Sequence, residues 1–333
     1  MSIVQVLGGA ASRIPVPQGL LRRIARTECV VFLSHAVVVG SPPPHLEWIV
    51  PCKTVARFEA DLRWLQRRYR FVGYEDVEES LSGARPLPKN AALLTFDDGY
   101  AQLNSVVRPL LSRLGIPALA FLTTSQLDNV ALSADCKASL CVSTFLRLDR
   151  VDRSSISKAL VLPDFAGEQT AKAGQALRDY LRSHGAVAEE LWQRLAFDEA
   201  CYLRDSAPYL TTEDVTAMAA SGWSFGGHAT VHRRLQGLSR SELESEIVQS
   251  CEAAARLSDR AEAPFAFPYT GEGVRRDWLA EIRDRHSEVG LFFDVWGLKR
   301  EDSLVWHRVA IEDPREPIGR AMRRAYLVAL VRR

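Results

Sequence analysis

The sequence predicts an α/β barrel, and two observations carry that expectation. Short β-branched apolar runs alternate with amphipathic helical stretches along most of the chain. Eight such runs occur in series, which a closed barrel accommodates more naturally than an open sheet. The composition agrees: 333 residues, 47% hydrophobic, 8% aromatic and 25% charged, give apolar mass for a full core and exclude disorder, collagen and coiled coil. Length alone would allow two domains, but barrels of this size form one.

The first run, residues 29–34, reads as a buried parallel strand ended by His35, and Pro42-Pro43-Pro44 then imposes a loop. Val55, Phe58, Leu62 and Leu65 recur at three and four and mark a helix over 54–69. A strand at 70–73 and a short helix at 75–82 follow. Residues 91–96 form the next buried strand, which delivers Asp97-Asp98-Gly99 at its C-terminal end. The helix after it stops at Gly115, with Pro117 beyond, and 118–123 is again a strand.

Residues 129–209 break the rhythm. They read as several helical segments with Trp192 and Phe197 as isolated anchors, an insertion packed on the barrel. Thr211 and Asp214 then box the start of a helix, Leu210 and Val215 staple it, and Gly222 ends it before a strand at 223–226. Ser239 and Glu242 open another helix, with Leu243, Ile247, Ala254 and Leu257 on one face. Strands at 264–267, 290–293 and 304–309 bring the total to eight.

A formal net charge of +1 supplies no basic field, so no nucleic-acid partner is expected. The six cysteines form no C-x-x-C pair and read as reduced thiols. Residues 1–13 have no basic residue ahead of their short apolar stretch, and no run reaches the ~18 apolar residues of a membrane span, so a cytoplasmic location is expected. Residues 315–333 carry six Arg against Glu316, beside Tyr326, Leu327, Val328, Leu330 and Val331. That segment reads either as the last barrel helix with solvated arginines or as a basic amphipathic helix lying on the inner face of an anionic membrane.

Three polar clusters fall where strands end: Asp97-Asp98, the pair His228 and His232, and Pro268-Tyr269. In α/β barrels that face carries the active site. His-x-x-x-His can set two imidazoles on one side of a helical turn. A carboxylate beside them completes the two-histidine, one-carboxylate set that zinc enzymes leave open for water.

Three stretches, Thr95-Phe96-Asp97-Asp98-Gly99-Tyr100, His228-Ala229-Thr230-Val231-His232 and Phe265-Ala266-Phe267-Pro268-Tyr269, together resemble the metal-dependent polysaccharide deacetylases, carbohydrate esterase family four with its chitooligosaccharide deacetylase-like domain. The resemblance runs over residues 30–310 apart from the inserted helices. It implies a distorted (β/α) barrel of seven or eight parallel strands that hydrolyses N-acetyl groups from amino sugars. Asp98, His228 and His232 would hold the metal, zinc or another divalent transition metal, and Asp97 would be the general base toward a metal-activated water. The backbone N–H of Tyr269 would help hold the oxyanion. His307 corresponds to the family's general acid, with His35 a second candidate as acid or substrate contact. The Arg that pairs with the base in many members is replaced here by Ala266, and Arg308 is expected to take its place. Asp294 would orient a neighbour, with Trp296 lining the groove beside Pro268.

The implied partner is an amino-sugar substrate in a glycan, glycolipid or glycoside, with an intracellular one fitting the expected location. Two other readings stay open: hydrolysis of another amide, such as deformylation or a non-sugar amide, on the same site, or a glycan-binding barrel that has lost turnover.

Overall fold

The computed structural model describes residues 28–163, 171–298 and 304–331. The stretch Met1–Arg13, part of the insertion (164–170), and Arg332 and Arg333 of the basic segment lie outside those residues. Seven parallel strands close the barrel in the order β5 (Ala91–Phe96), β6 (Leu119–Leu122), β7 (Ser224–Gly227), β8 (Ala263–Ala266), β9 (Val289–Asp294), β10 (Val305–Ala310) and β1 (Cys29–Ser34). Closure is made by β1 pairing back onto β5, from Cys29 opposite Ala91 to Ser34 opposite Phe96.

The expected eighth strand at 70–73 is not a stave of this barrel. It shrinks to β4 (Arg70–Phe71), which pairs with Ala91 and Ala92 at the start of β5, while β6 takes over from Thr95 onward. Because β1 occupies the other edge of β5 throughout, β4 can only fill the gap below β6. Gly73 then caps helix α2 (Tyr74–Leu81) at once and ends the extended run. A two-stranded parallel ribbon, β2 (Val37–Val38) with β3 (Lys53–Thr54), lies outside the barrel and follows β1 directly.

The strands divide their side chains with period two. Val31, Leu93, Leu119, Phe121, Phe293 and Trp306 fill the barrel, while Val30, Ala92, Leu94, Phe96, Val305 and Val309 face the helices. In β7 both faces must be thin. A Cβ on Gly226 would stand 2.6 Å from the Phe121 ring, and one on Gly227 would stand 2.5 Å from Ser250 Oγ of α10 (Arg240–Leu257). Those two glycines let the strand pass between a bulky core ring and a close-packed helix.

Helix α1 (Val55–Gln66) starts at Thr54, whose Oγ1 accepts from the Arg57 N–H, and α3 (Arg108–Leu114) ends at Gly115 in the left-handed region. Among its described residues the insertion forms five α-helices: α4 (Ala134–Arg147), α5 (Arg150–Ala159), α6 (Ala171–Ser183), α7 (Gly185–Arg194) and α8 (Glu199–Ser206). They share a core of their own, with Cys141, Phe145, Leu177, Leu181 and Leu191 buried together. A second apolar cluster, including Leu46, Val50, Cys136, Leu140 and Tyr209, docks them on the loop after β2. Trp48 of that loop lies directly over Gly174 of α6. Trp192 and Phe197 pack against each other in this docked region, tilted by 42° with ring centroids 4.7 Å apart.

The reciprocal caps at Thr211–Asp214 and Ser239–Glu242 open α9 (Thr212–Ala219) and α10. Helix α11 (Arg276–Arg285) packs Leu279 and Ile282 inward, and α12 (Ile318–Val331) buries Ile318, Met322 and Tyr326 against the barrel, with Leu327 and Leu330 alongside. Most of the apolar face of the basic C-terminal segment is therefore turned toward the core. No described helix is long and apolar enough to cross a membrane.

Candidate active site

The site sits at the C-terminal mouth of the barrel, as expected of this architecture. Strand register aims its central residues. The inward set of β5 continues past Leu93 and Thr95 to Asp97, whose N–H still bonds to the Ser34 carbonyl at 3.1 Å. Asp98 (φ 71°) and Gly99 (φ 70°) then take left-handed conformations in succession, a turn that Asp tolerates better than most side chains. Both carboxylates thereby reach one cavity of about 220 Å³, lined also by His35, Tyr100, Asp135, His228, His232 and Tyr269.

His228 follows β7 by one residue, and His232 stands four further on in a loop. The helical turn expected for His-x-x-x-His is not formed, because Ala229 adopts a left-handed conformation (φ 64°) and Glu246 of α10 captures the loop backbone. That buried carboxylate accepts from the Thr230 N–H at 2.8 Å, from the Thr230 hydroxyl and from the Val231 N–H at 3.4 Å. The loop does bring the two imidazoles to one place by another route.

Asp98 Oδ1 lies 3.3 Å from His228 Nε2 and 3.4 Å from His232 Nε2, and it is buried without accepting a hydrogen bond. These spacings suit a cation. Tetrahedral ligands about 2.0–2.1 Å from an ion stand about 3.3–3.4 Å apart. The far nitrogens are already engaged: His228 Nδ1 pairs with the Ala266 carbonyl at 2.8 Å, and His232 Nδ1 lies 3.2 Å from Asp135 Oδ2. An imidazole that donates through Nδ1 keeps its Nε2 lone pair for a metal. The three residues therefore fit a divalent metal. Burial opposes the charge on Asp98, but the imidazoles of His232 and His228 hold its carboxyl far below the usual carboxylate range.

Asp97 is held differently. Arg308, fully buried on β10, meets it with both arms of the guanidinium, Nη1 to Oδ1 at 2.5 Å and Nη2 to Oδ2 at 2.8 Å, and also reaches Thr95 Oγ1 at 3.3 Å. Burial pushes the Asp97 carboxyl up, yet Arg308 and His228 leave it below its ordinary value. The position two before Pro268-Tyr269 is Ala266, which packs inside the barrel, so the cation beside Asp97 arrives from the last strand instead.

The two candidate acids are separated by strand parity. His35 continues the inward set of Val31 and Leu33 and lines the cavity. Its Nδ1 is 2.7 Å from Glu312 Oε2, just past β10. Burial disfavours its charge, but Glu312 first, then Asp98 and Asp97, hold the imidazolium up to about 10. His307 shares the outward set of Val305 and Val309 and does not line the cavity; its Nδ1 accepts from the Trp296 N–H at 3.3 Å.

The loop after β9 also differs from expectation. Val295, not Trp296, lines the cavity, because Trp296 follows it on the opposite side with its backbone turned to His307. Asp294, wholly buried, accepts from the Gly271 N–H at 3.0 Å and the Val295 N–H at 2.8 Å, and so ties this loop to the one that carries Tyr269. Pro268 is buried behind the rim, while Phe267 and Tyr269 on either side of it line the cavity. Tyr269 is left-handed (φ 60°), its ring lies 4.6 Å from that of His232, and its hydroxyl donates to Asp135.

Asp135 and Arg182, which no sequence reasoning singled out, come from α4 and α6 of the insertion. Arg182 Nε is 3.1 Å from Asp135 Oδ1 and its guanidinium lies over the Tyr269 ring at 5.0 Å. Arg182, Asp135, His232 and Tyr269 are shared with a second cavity of about 640 Å³ that opens between the insertion and Arg233 and Arg234. The smaller cavity therefore shares a wall with a larger groove.

Comparisons with known proteins accord with this geometry. The polysaccharide deacetylase family model matches residues 84–290. Among curated proteins, a poly-beta-1,6-N-acetyl-D-glucosamine N-deacetylase of Escherichia coli is 36% identical over 69 residues, 20% of this chain, and the chain spans only 10% of that relative. Among solved structures, the Streptococcus pyogenes deacetylase PplD, in complex with acetate, superposes with a TM-score of 0.54 at 17% identity, covering 86% of this chain and 92% of that one. IcaB from Ammonifex degensii gives 0.54 at 16% identity, with 90% and 97% covered. These last two show a shared fold. With a family match across more than half of its length, the chain belongs to the polysaccharide deacetylases, hydrolases that act on carbon–nitrogen bonds.

Proposed function

We propose that this chain is a metal-dependent N-deacetylase that hydrolyses the N-acetyl amide of an amino sugar within a polysaccharide. One observation carries the reading: a buried Asp98 oxygen without a hydrogen bond, at ligand spacing from two imidazole nitrogens, beside an Asp97 kept ionised by Arg308. A divalent metal held by Asp98, His228 and His232 would polarise the acyl carbonyl and make water a nucleophile near neutral pH.

The remaining steps belong to side chains of this protein. The Asp97 carboxylate, with Oδ2 4.0 Å from His228 Nε2, takes the proton of the attacking water. The Tyr269 N–H, free of intramolecular hydrogen bonds among the described residues, faces the developing oxyanion. His35 is the acid. As the tetrahedral carbon collapses, its imidazolium gives a proton to the departing nitrogen and the C–N bond breaks, leaving acetate and a free amine. Glu312 keeps it protonated until then. His307, on the outward face of β10, does not line the cavity, which favours His35 for this role.

The curated E. coli relatives are named for poly-beta-1,6-N-acetyl-D-glucosamine, so oligomers of that polymer are the first substrates to try. Acetate release from them by metal-loaded protein should fall about 10²–10⁴-fold in Asp97→Asn with metal content unchanged. It should vanish together with metal binding in His228→Ala. Full activity in either variant would overturn the reading.

A further inference from the structure

Resting on the metal site proposed above, we infer that Asp135 of the insertion is a positioning residue for His232: it accepts the Nδ1–H and holds Nε2 toward the metal. The two imidazoles of the site have unlike partners. His228 leans on the Ala266 backbone carbonyl, which the barrel supplies. At His232 the atom 3.2 Å from Nδ1 is instead a carboxylate oxygen of Asp135, from the insertion.

That carboxylate is built in. Ser133 caps α4, its Oγ accepting from the Cys136 N–H at 3.1 Å, which fixes Asp135 in the first helical turn. Ser133 is itself tied by its N–H to the Tyr209 hydroxyl at 3.0 Å. The Tyr269 hydroxyl donates to one Asp135 oxygen, and Arg182 sits 3.1 Å from the other. The carboxylate is thus clamped from two sides and presents a fixed edge to His232, while Asp135 as a whole is buried.

A carboxylate behind a ligating imidazole fixes its tautomer and raises its basicity, and losing such a partner weakens metal affinity about 10–100-fold. The insertion is therefore part of the metal centre as well as a wall of the groove. His232 rides on a loop rather than on a strand end, so it needs this second anchor more than His228 does.

The test is zinc affinity measured by competition with a chromogenic chelator, on wild type, Asp135→Asn and Gly174→Ala. Gly174→Ala is the control for a purely architectural role, because a Cβ there would meet the Trp48 ring at 2.2 Å and strain the docking of the insertion without touching Asp135. We expect Asp135→Asn to bind zinc about 10–100-fold more weakly and Gly174→Ala to stay within about threefold of wild type. Affinity unchanged in Asp135→Asn, or lowered equally in both variants, would overturn the inference while leaving the metal site standing. Wild type that takes up no divalent metal would instead defeat the proposed function itself.

Discussion

The barrel and the insertion both reach the cavity, by different means. Strand ends deliver Asp97, His35 and His228; ladder hydrogen bonds continue to the rim at Asp97, to Ser34, and at His228, to Leu122, while the His35 side chain is held by Glu312. Helix docking delivers Asp135 and Arg182: a cap at Ser133 fixes the first, and the fit of Trp48 over Gly174 seats the helix that carries the second. The barrel groups are held at the floor of the cavity by the strands themselves. The insertion groups act through something else, and their place can loosen by degrees.

This contrast predicts a gradient of effects. Arg308→Met should be the most severe, because it leaves Asp97 buried without its cation, at a cost of about 3–5 kcal/mol. Asp97 is held below its ordinary value, so Arg308 contributes stability above pH 4 that fades as pH falls. Urea unfolding should show a large gap from wild type at pH 7 that narrows toward pH 3.5; a gap independent of pH would break the link to Asp97.

Glu312→Gln comes next. The His35 imidazolium is held up to about 10, so this change should bring the alkaline limb of the kcat/KM profile down by about one unit or more, with little effect near pH 6. The stability contributed by the pair is complete below about 6.5 and is lost as pH rises to about 10, so the variant should have a flatter stability profile across that window. An unmoved alkaline limb would take the acid role away from His35.

Smaller effects belong to the insertion. Gly174→Ala should lower stability by about 1–3 kcal/mol through overpacking against Trp48, read as a shift in Tm. Ser133→Ala, which removes one cap hydrogen bond from α4, should cost about 1 kcal/mol. If either abolished acetate release as fully as Asp97→Asn, the distinction between the two regions would not hold.

Legibility in the sequence follows the same division. The Asp97-Asp98 and His228–His232 clusters could be found because buried strands are easy to recognise and barrels put their polar groups at strand ends. Strand parity would have separated the acids as well: Arg308 and His307 are adjacent, and neighbouring residues of one strand cannot both face inward. Glu312, at the same rim just after β10, was within reach of that logic. Asp135 was not, since an acid in the first turn of a capped helix is ordinary helix chemistry and nothing local reveals what it faces. The conformation of the loop around His232 is hidden from the sequence for a similar reason, as Glu246, which holds it, lies fourteen residues on in another element.

The closure of the barrel bears on how the protein acquires its site during folding. Strand β1 pairs with β5 along its whole length, but its other edge waits for β10, Val31 meeting Arg308 across most of the chain. Such distant pairing is slow to form. Asp97 and Arg308 therefore come together only when the last strand is seated, so a chain arrested before β10 would carry Asp97, Asp98, His228 and His232 and still lack the pairing that completes the site. Until then β1 and β9 each keep an open edge, which makes the late intermediate the state most exposed to aggregation.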